Sequence, residues 1–148
     1  MNDPNLDSST YRIAEFLRDG LNYRLYKVHK NVVAVRHFVN YNSLPTDLSC
    51  FPLLKVYRVS EIFKDFHSET KATIGYCLSF PDEENIPGIL RWAAVNINEL
   101  LQEYAITHRG CSPEINLEKD MNAEYRVMSL KGEPLYSLLQ FNFTFTEN

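Results

Sequence analysis

The sequence predicts an α+β fold, in which an antiparallel or mixed sheet of about six strands carries a short N-terminal helix and one long helix. Residues 71–80 and 135–146 alternate apolar and polar side chains, and a period of two places one face of a strand in a core. Residues 86–104 instead repeat apolar side chains at spacings of three and four, which is typical of an amphipathic helix. The predicted order is α-β-β-β-β-α-β-β, and we expect residues 1–148 to form a single domain.

The N-terminal segment predicts a short helix after a flexible arm. Residues 1–9 are polar and end in Asp7, Ser8 and Ser9, which are all good helix N-caps. The helix is expected over residues 10–19, with Gly20 as its C-terminal stop. Its apolar stripe consists of Ile13, Phe16, Leu17 and Leu21.

Two strands are expected before the middle of the chain. Residues 22–27 form the first candidate, and residues 32–39, which are rich in β-branched side chains, form the second. Residues 29–31 would make the turn between them. The polar segment 40–49 contains Pro45, so we expect a loop there.

The central segment predicts two strands separated by an excursion. Residues 51–59 form the first strand, and residues 71–80 form the second. The intervening residues 60–70 are too many for a tight hairpin turn. We therefore expect a long loop there that carries exposed aromatic side chains.

The long helix is expected to start at Asn85 or Ile86. Three acidic residues precede it, where the helix dipole favours negative charge, and Pro87 suits the first turn. Residues 108–110, His-Arg-Gly, should end it. Its predicted buried face comprises Ile86, Ile89, Leu90, Ala93, Ala94, Ile97, Leu100, Leu101 and Tyr104.

The C-terminal segment predicts a hairpin after a second irregular stretch. Residues 111–123 contain Pro113 and several acidic side chains. Residues 125–130 and 135–146 form the two arms, with residues 131–134 as the turn. Because the second arm runs almost to residue 148, we expect the last strand to be integrated into the sheet.

Composition and charge exclude several function classes. The 148 residues carry a net charge of −4 with 45% hydrophobic residues, which argues against a disordered chain and against tight nucleic-acid binding. Three scattered cysteines suggest reduced thiols rather than a disulfide framework. Neither a signal peptide nor a membrane-spanning run is recognisable.

The sequence contains no catalytic or cofactor-binding signature. The four histidines have no Cys or acidic residue at metal-ligand spacing, and the five glycines do not cluster in a phosphate loop. Glu83 and Glu84 are best interpreted as a turn that complements the helix dipole. We therefore predict a non-enzymatic protein without metal or cofactor.

Two sets of residues are candidates for a protein interface. Ile62, Phe63 and Phe66 lie among charged residues, so they either fold back as a small satellite core or dock on a partner. Trp92, next to Arg91 on the long helix, either lies at the edge of the core or borders a subunit contact.

The layout resembles the tail terminator (tail completion) proteins of long-tailed bacteriophages. The resemblance rests on the opening helix, the strand Phe-Pro-Leu-Leu-Lys-Val-Tyr at residues 51–57, the strand that ends at Pro81, the single long helix and a terminal strand ending in aromatics. It covers most of the chain but depends on element order rather than on a diagnostic motif. The aromatic segment 60–70 departs from the family pattern.

The resemblance implies a ring-forming structural protein. It would form a homo-oligomer, a hexamer in the family, that caps the tail tube of the virion. This ring would contact the tube, the neck or connector and, in a contractile tail, the sheath. DNA would pass through the acidic lumen without specific binding. Contacts with neighbours would come from residues 60–70 and 108–123, the latter including Arg109 and Glu114.

Three alternatives to a terminator remain open from the sequence. A head–tail connector or stopper of the neck has a similar size and also forms rings. From another class, a small adaptor domain would bind one protein through residues 60–70. An enzyme would require a pocket in which His37 and Arg36 converge with acidic groups.

Overall fold

The computed structural model of the chain describes residues 7–28, 34–35, 37–40, 51–79, 86–117, 119–129 and 135–148. Within these residues it has two helices and six strands in the order α-β-β-β-α-β-β-β. The elements are α1 (Ser8–Val28), β1 (His37–Val39), β2 (Leu53–Phe63), β3 (Ser68–Ser79), α2 (Ile86–Thr107), β4 (Glu114–Ile115), β5 (Asn122–Ser129) and β6 (Leu135–Glu147). The α+β class is as the sequence predicted.

One mixed sheet carries these elements. β1 pairs parallel with β2, whereas all other pairs are antiparallel, and the order is β1-β2-β3-β6. The far edge of β6 pairs with β4 at residues 145–146 and with β5 at residues 135–142. The last strand is therefore central to the sheet.

Helix α1 is twice as long as expected. It begins at Ser8, where the Asp7 carboxylate accepts the Thr10 backbone N–H, and it continues through Gly20 to Val28. The predicted strand at residues 22–27 is thus wrong, because Gly20 packs against Leu100 of α2 instead of ending the helix. Of the predicted strand 32–39, only β1 is formed within the described residues.

The segment 60–70 is a hairpin end rather than a loop, which is a second correction. β2 and β3 pair from Leu53 with Cys77 up to Phe63 with Ser68. Only residues 64–67 remain for the turn, which is closed by the Lys64 N–H donating to the His67 carbonyl at 2.8 Å. The residue pattern did not predict these strands, because most side chains of residues 60–69 are exposed or only partly buried. A strand without a buried face needs no alternation of apolar and polar residues.

Helix α2 and the C-terminal hairpin match their predictions. α2 covers Ile86–Thr107, and its predicted apolar stripe is buried from Ile89 to Tyr104. β5 and β6 pair antiparallel. Residues 111–123 hold the short β4 as well as the start of β5.

The main core lies between the helices and one face of the sheet. It is lined by alternate residues of the strands, among them Val56, Ile74, Tyr76, Leu139, Phe141 and Phe145. A smaller cluster around Phe51, Leu53, Cys77 and Tyr136 lies on the opposite face. The predicted turns at 29–31 and 131–134, the arm at 1–6, Phe80 and most of the loop 40–49 are outside the described residues.

Candidate protein-interaction site

The end of the β2–β3 hairpin, which we call the tip, exposes large apolar side chains. Ile62 is 59% exposed, Phe63 79% and Phe66 91%, and Val59 on the same strand is 63% exposed. These side chains do not fold back as a satellite core, which was one of the two interpretations of the sequence. They leave an aromatic surface on the outside of the protein.

A β-bulge in β2 sets the orientation of the residues beneath the tip. Arg58 pairs with Ala72 and Ser60 pairs with Lys71, so Val59 is the additional residue. In a regular strand, residues three apart point to opposite faces. The bulge instead directs Arg58 and Glu61 to the same face, the one that carries the helices.

Arg58 is the centre of a half-buried ionic cluster beneath the tip. Its Nε and a terminal nitrogen donate to the two oxygens of Asp7 at 2.6 and 3.1 Å. Its other terminal nitrogen donates to Glu61 at 3.1 Å, to the Thr70 hydroxyl at 3.0 Å and to Glu147. The cluster joins the start of α1 to β2, β3 and the end of β6.

The cluster holds its acidic members in the charged form. Partial burial raises the pKa of Asp7 and of Glu147, but the hydrogen bonds and charge of Arg58 outweigh it, and the pKa of both carboxyls lies below its ordinary value. The Ser9 hydroxyl also donates to Glu147. Conversely, the hydrogen bond to Glu147 is the largest of the effects that raise the pKa of Arg58.

An open cleft of about 490 Å³ connects the cluster with the aromatic tip. Its lining includes the charged residues Arg58, Glu61, Lys64 and Glu147, together with Phe63, Phe66 and His67. Three carboxylates surround the single guanidinium of Arg58, so the cluster has a net charge of −2.

Arg109 and Glu114 lie at the same end of the molecule as the tip. Glu114 pairs with Thr146, which pairs with Glu69, and Glu69 pairs with Ile62. Glu114 and Ile62 thus lie in one row across four strands. They are about 14 Å apart, which is three strand spacings. The Glu114 carboxylate accepts the Gly110 N–H at 2.6 Å, while Arg109 is exposed beside a shallow hollow of about 240 Å³.

Trp92 lies apart from these residues. It is half-buried and packs against the main core. The interpretation of Trp92 as a core-edge residue therefore describes the side of the ring that faces the core. α2 runs from Trp92 towards the end that carries the tip. Ser112, shortly after α2, accepts a hydrogen bond from the backbone N–H of Asn148, next to the end of β6. Five of the six candidate residues are therefore gathered at one end, and Trp92 is not.

The ionic cluster is not apparent in the sequence. Asp7 was recognised only as a helix cap, and Arg58, Glu61 and Glu147 carried no signal, because they are 51 and more positions from Asp7 in the chain. The bulge at Val59 is equally invisible in the residue pattern. Only the pairing of β2, β3 and β6 brings these groups together.

Between α1 and α2, the described residues also line a cleft of about 570 Å³ that includes Glu15, His108 and Cys111. Within the part of the chain that the structure describes, there is no group of three or more His, Cys, Asp or Glu side chains that could hold a metal ion. His108 stacks on Tyr104 with ring centroids 4.0 Å apart. The pocket of Arg36 and His37 considered above falls outside the side chains that the structure describes.

Comparison with known proteins adds no family to this geometry. Within the described residues, neither helix is long and apolar enough to cross a membrane. No protein-family model matches the chain, and no curated protein matches it.

Proposed function

We propose that the protein is a non-enzymatic structural subunit that assembles with copies of itself into a ring, which caps and terminates the tube of a phage-like tail and joins it to the neck. The observation that supports this proposal is the aromatic tip, because an exposed pair of phenylalanines is a binding surface rather than a feature of stability. The role in a phage-like tail comes from the resemblance of the element order to tail terminator proteins that is described above.

The exposed apolar area of the tip has the size of the largest patch on a typical monomer, which is often functional. At the exposures of Phe63 and Phe66, the two rings alone present roughly 300 Å² of apolar surface. Monomeric proteins rarely expose contiguous apolar patches beyond a few hundred Å². Burial of the tip against a neighbouring subunit removes this area from water, which is the main favourable contribution to association.

A closed ring would account for termination of a tube. Contacts between two different surfaces of identical subunits close into a ring when the rotation between neighbours allows it. Such a ring presents a face that no longer copies the tube subunit, so elongation stops. The net charge of −4 suits a lumen through which DNA slides, because negative walls repel phosphates.

The proposal is tested by sedimentation over a concentration series, with negative-stain microscopy of the most concentrated sample. We expect closed rings of about six subunits with a central hole. The double variant Phe63→Ser/Phe66→Ser should remain monomeric, whereas Tyr125→Ser, which changes an exposed aromatic residue outside the tip, should assemble normally.

Other outcomes select among the alternatives. A wild-type protein that stays monomeric at every concentration contradicts self-assembly and favours the adaptor, in which the tip binds one soluble partner. Rings that bind the end of purified tail tubes support a terminator. Rings that bind only the head side of the neck support a connector or stopper.

A further inference from the structure

The cleft between α1 and α2 combines apolar and aromatic side chains with charged ones. Its volume of about 570 Å³ lies in the range of small-molecule sites. Gly20 and Leu100 contribute an apolar part of the lining. Phe16 meets Tyr104 edge-to-face with ring centroids 5.1 Å apart, and the Tyr104 ring stacks on His108. A ligand with an apolar body can therefore pack against this part of the cleft.

The hydroxyl of Tyr104 is a polar group in this lining that lacks a partner. Tyr104 is only 4% exposed, and its hydroxyl makes no hydrogen bond with any residue that the structure describes. The hydroxyl is not sealed in the core, because Ser137 alone among the described residues has a fully enclosed side-chain oxygen without a partner. Burial raises the pKa of Tyr104 and outweighs the charge of Arg12, which lowers it. A protonated donor therefore borders the cleft, and a tyrosine buried to this extent usually has a hydrogen-bond partner.

Arg12 and Glu15 add one charge of each sign to the same lining. A terminal nitrogen of Arg12 donates to the Ser112 carbonyl at 3.2 Å, which leaves the N–H groups of its other nitrogens for a ligand. Within the described ranges, Arg12 forms no ion pair, and Glu15 forms neither an ion pair nor a hydrogen bond. The two residues are three positions apart on α1, so they are neighbours on the helix surface with Cβ atoms about 5–6 Å apart.

The other two carboxylates of the cleft already have cationic partners. Asp19 lies 2.8 Å from the Nε of Arg18, and Glu103 lies 3.5 Å from a terminal nitrogen of Arg24. The guanidinium and the carboxylate described above are therefore the charges of the lining that a ligand can neutralise. A ligand that carries an anionic and a cationic group close together matches both.

We propose that this cleft binds a free α-amino acid with a large apolar side chain. The Arg12 guanidinium and the Tyr104 hydroxyl bind its carboxylate, and Glu15 binds its ammonium group. Its side chain packs against Phe16 and Leu100. The proposal is independent of the self-assembly described above, since none of these residues belongs to the tip.

The two charged groups of an α-amino acid explain why this class fits better than a simple acid or amine. Both groups are attached to one carbon atom, so they lie as close together as the side chains of Arg12 and Glu15 can reach. An acid without an ammonium group would place its charge beside the unpaired Glu15 carboxylate. An amine without a carboxylate would leave the guanidinium and the Tyr104 hydroxyl without an acceptor, and a guanidinium binds a carboxylate particularly well through two parallel hydrogen bonds.

Isothermal titration calorimetry of the full chain with L-phenylalanine and L-leucine tests the proposal. We expect saturable binding of at least one of the two with a Kd of about 1 mM or below. Phenylpropanoate, which lacks the ammonium group, and phenylethylamine, which lacks the carboxylate, should each bind about ten-fold more weakly than L-phenylalanine. The proposal is wrong if neither amino acid binds, or if one of the two analogues binds as tightly as L-phenylalanine.

Two conservative variants locate the binding site. Tyr104→Phe removes the hydroxyl but keeps the ring, and Glu15→Gln removes the charge but keeps the size, so both should fold and should weaken binding of the amino acid about ten-fold. Glu15→Gln should not weaken binding of phenylpropanoate, because that ligand has no ammonium group.

Tyr125→Phe is the matched control, because it removes a hydroxyl from an exposed tyrosine of β5 outside the cleft and should bind like the wild type. Thermal melts show that each variant is folded. If Tyr104→Phe and Glu15→Gln bind the amino acid as tightly as the wild type, this cleft is not the site and the proposal is wrong. Sedimentation of the wild type answers the separate question of self-assembly, whatever the calorimetry shows.

Discussion

Gly20 shows how a single residue decides the arrangement of the two helices. A Cβ atom at this position would lie 2.5 Å from Cδ2 of Leu100 and 3.0 Å from its Cδ1. Leu100 is buried in the main core. The missing side chain therefore allows α1 and α2 to pack closely, and it does not mark the end of a helix.

We expect Gly20→Ala to destabilise the protein by about 1 kcal/mol, although alanine favours the helix by a similar amount, because the added methyl overpacks the contact. In a Leu100→Ala background, the same substitution should become stabilising, since the cavity accommodates the methyl group. Urea denaturation of the four proteins in this cycle measures the coupling.

Gly88→Ala is the matched control. This glycine lies in α2 with no heavy atom within 4 Å of an added Cβ, so the substitution should stabilise the protein by up to about 1 kcal/mol. Additive effects of Gly20→Ala and Leu100→Ala would contradict the close contact.

Arg58 is the second residue with a distinct role, because it ties three distant segments together. We expect Arg58→Met to lower the free energy of unfolding by about 2 kcal/mol at pH 7, since it leaves the Asp7 and Glu147 carboxylates without their partner. The difference should shrink as the pH falls from about 5 towards 3. The lowered pKa values of Asp7 and Glu147, whose ordinary values are 3.8 and 4.5, mean that their contribution is present above those values and is lost as the carboxyls take up protons.

Denaturation by urea at several pH values measures this difference. Arg126→Met is the control, because the ion pair of Arg126 with Glu124 is exposed and should contribute little at any pH. A difference between wild type and Arg58→Met that does not change with pH would show that the cluster contributes through packing alone.

At the scale of elements, β2 combines a paired strand with a local irregularity. The register between β2 and β3 is regular on both sides of Val59, so the bulge inserts one residue without moving any pair out of register. Removal of Val59 would join two segments whose side chains already point to the correct faces.

We therefore expect deletion of Val59 to change the free energy of unfolding by less than about 1 kcal/mol and to preserve the hairpin. Thermal melting measures the change in stability, and the far-UV circular dichroism spectrum shows whether the strand content is preserved. Deletion of Ile74, in the regular centre of β3, is the comparison, because it would turn the following core residues to the wrong face and should prevent folding. Loss of folding in both deletions would show that the bulge is required.

At the scale of the whole molecule, β6 organises the sheet. It pairs with β3 along one edge and with β4 and β5 along the other, and its alternate residues Leu139, Phe141, Phe143 and Phe145 enter the main core. Removal of residues 143–148 takes two of these phenylalanines and the Arg58 partner Glu147 from the fold.

We expect this truncated chain to lose its cooperative unfolding transition, because one large buried side chain alone costs about 3–5 kcal/mol when it is removed, and a whole domain is stable by only about 5–15 kcal/mol. Calorimetry measures the transition. Removal of Asn148 alone should leave it intact, and a truncated chain that still unfolds cooperatively would contradict the central role of β6.

The strongest sequence predictions concern elements whose residue pattern is regular. The stripe of α2 and the alternation in β3 and β6 were predicted with their faces, since burial imposes the periods of a helix and of a strand directly on the apolar residues. The prediction failed where a neighbour supplies the reason: Gly20 ends no helix because Leu100 packs over it, and residues 60–63 and 68–70 are strands although their side chains are polar or exposed.

The sequence by itself determined the fold class, the long helix, the terminal hairpin and the identity of Ile62, Phe63 and Phe66 as unusual residues, because each of these depends on local pattern and composition. The tertiary structure alone decided that these three side chains are exposed and that Arg58 joins Asp7 to Glu147 across 140 positions of the chain. Such relations depend on which strands pair and how closely two helices approach, and long-range packing leaves no periodic trace in the order of the residues.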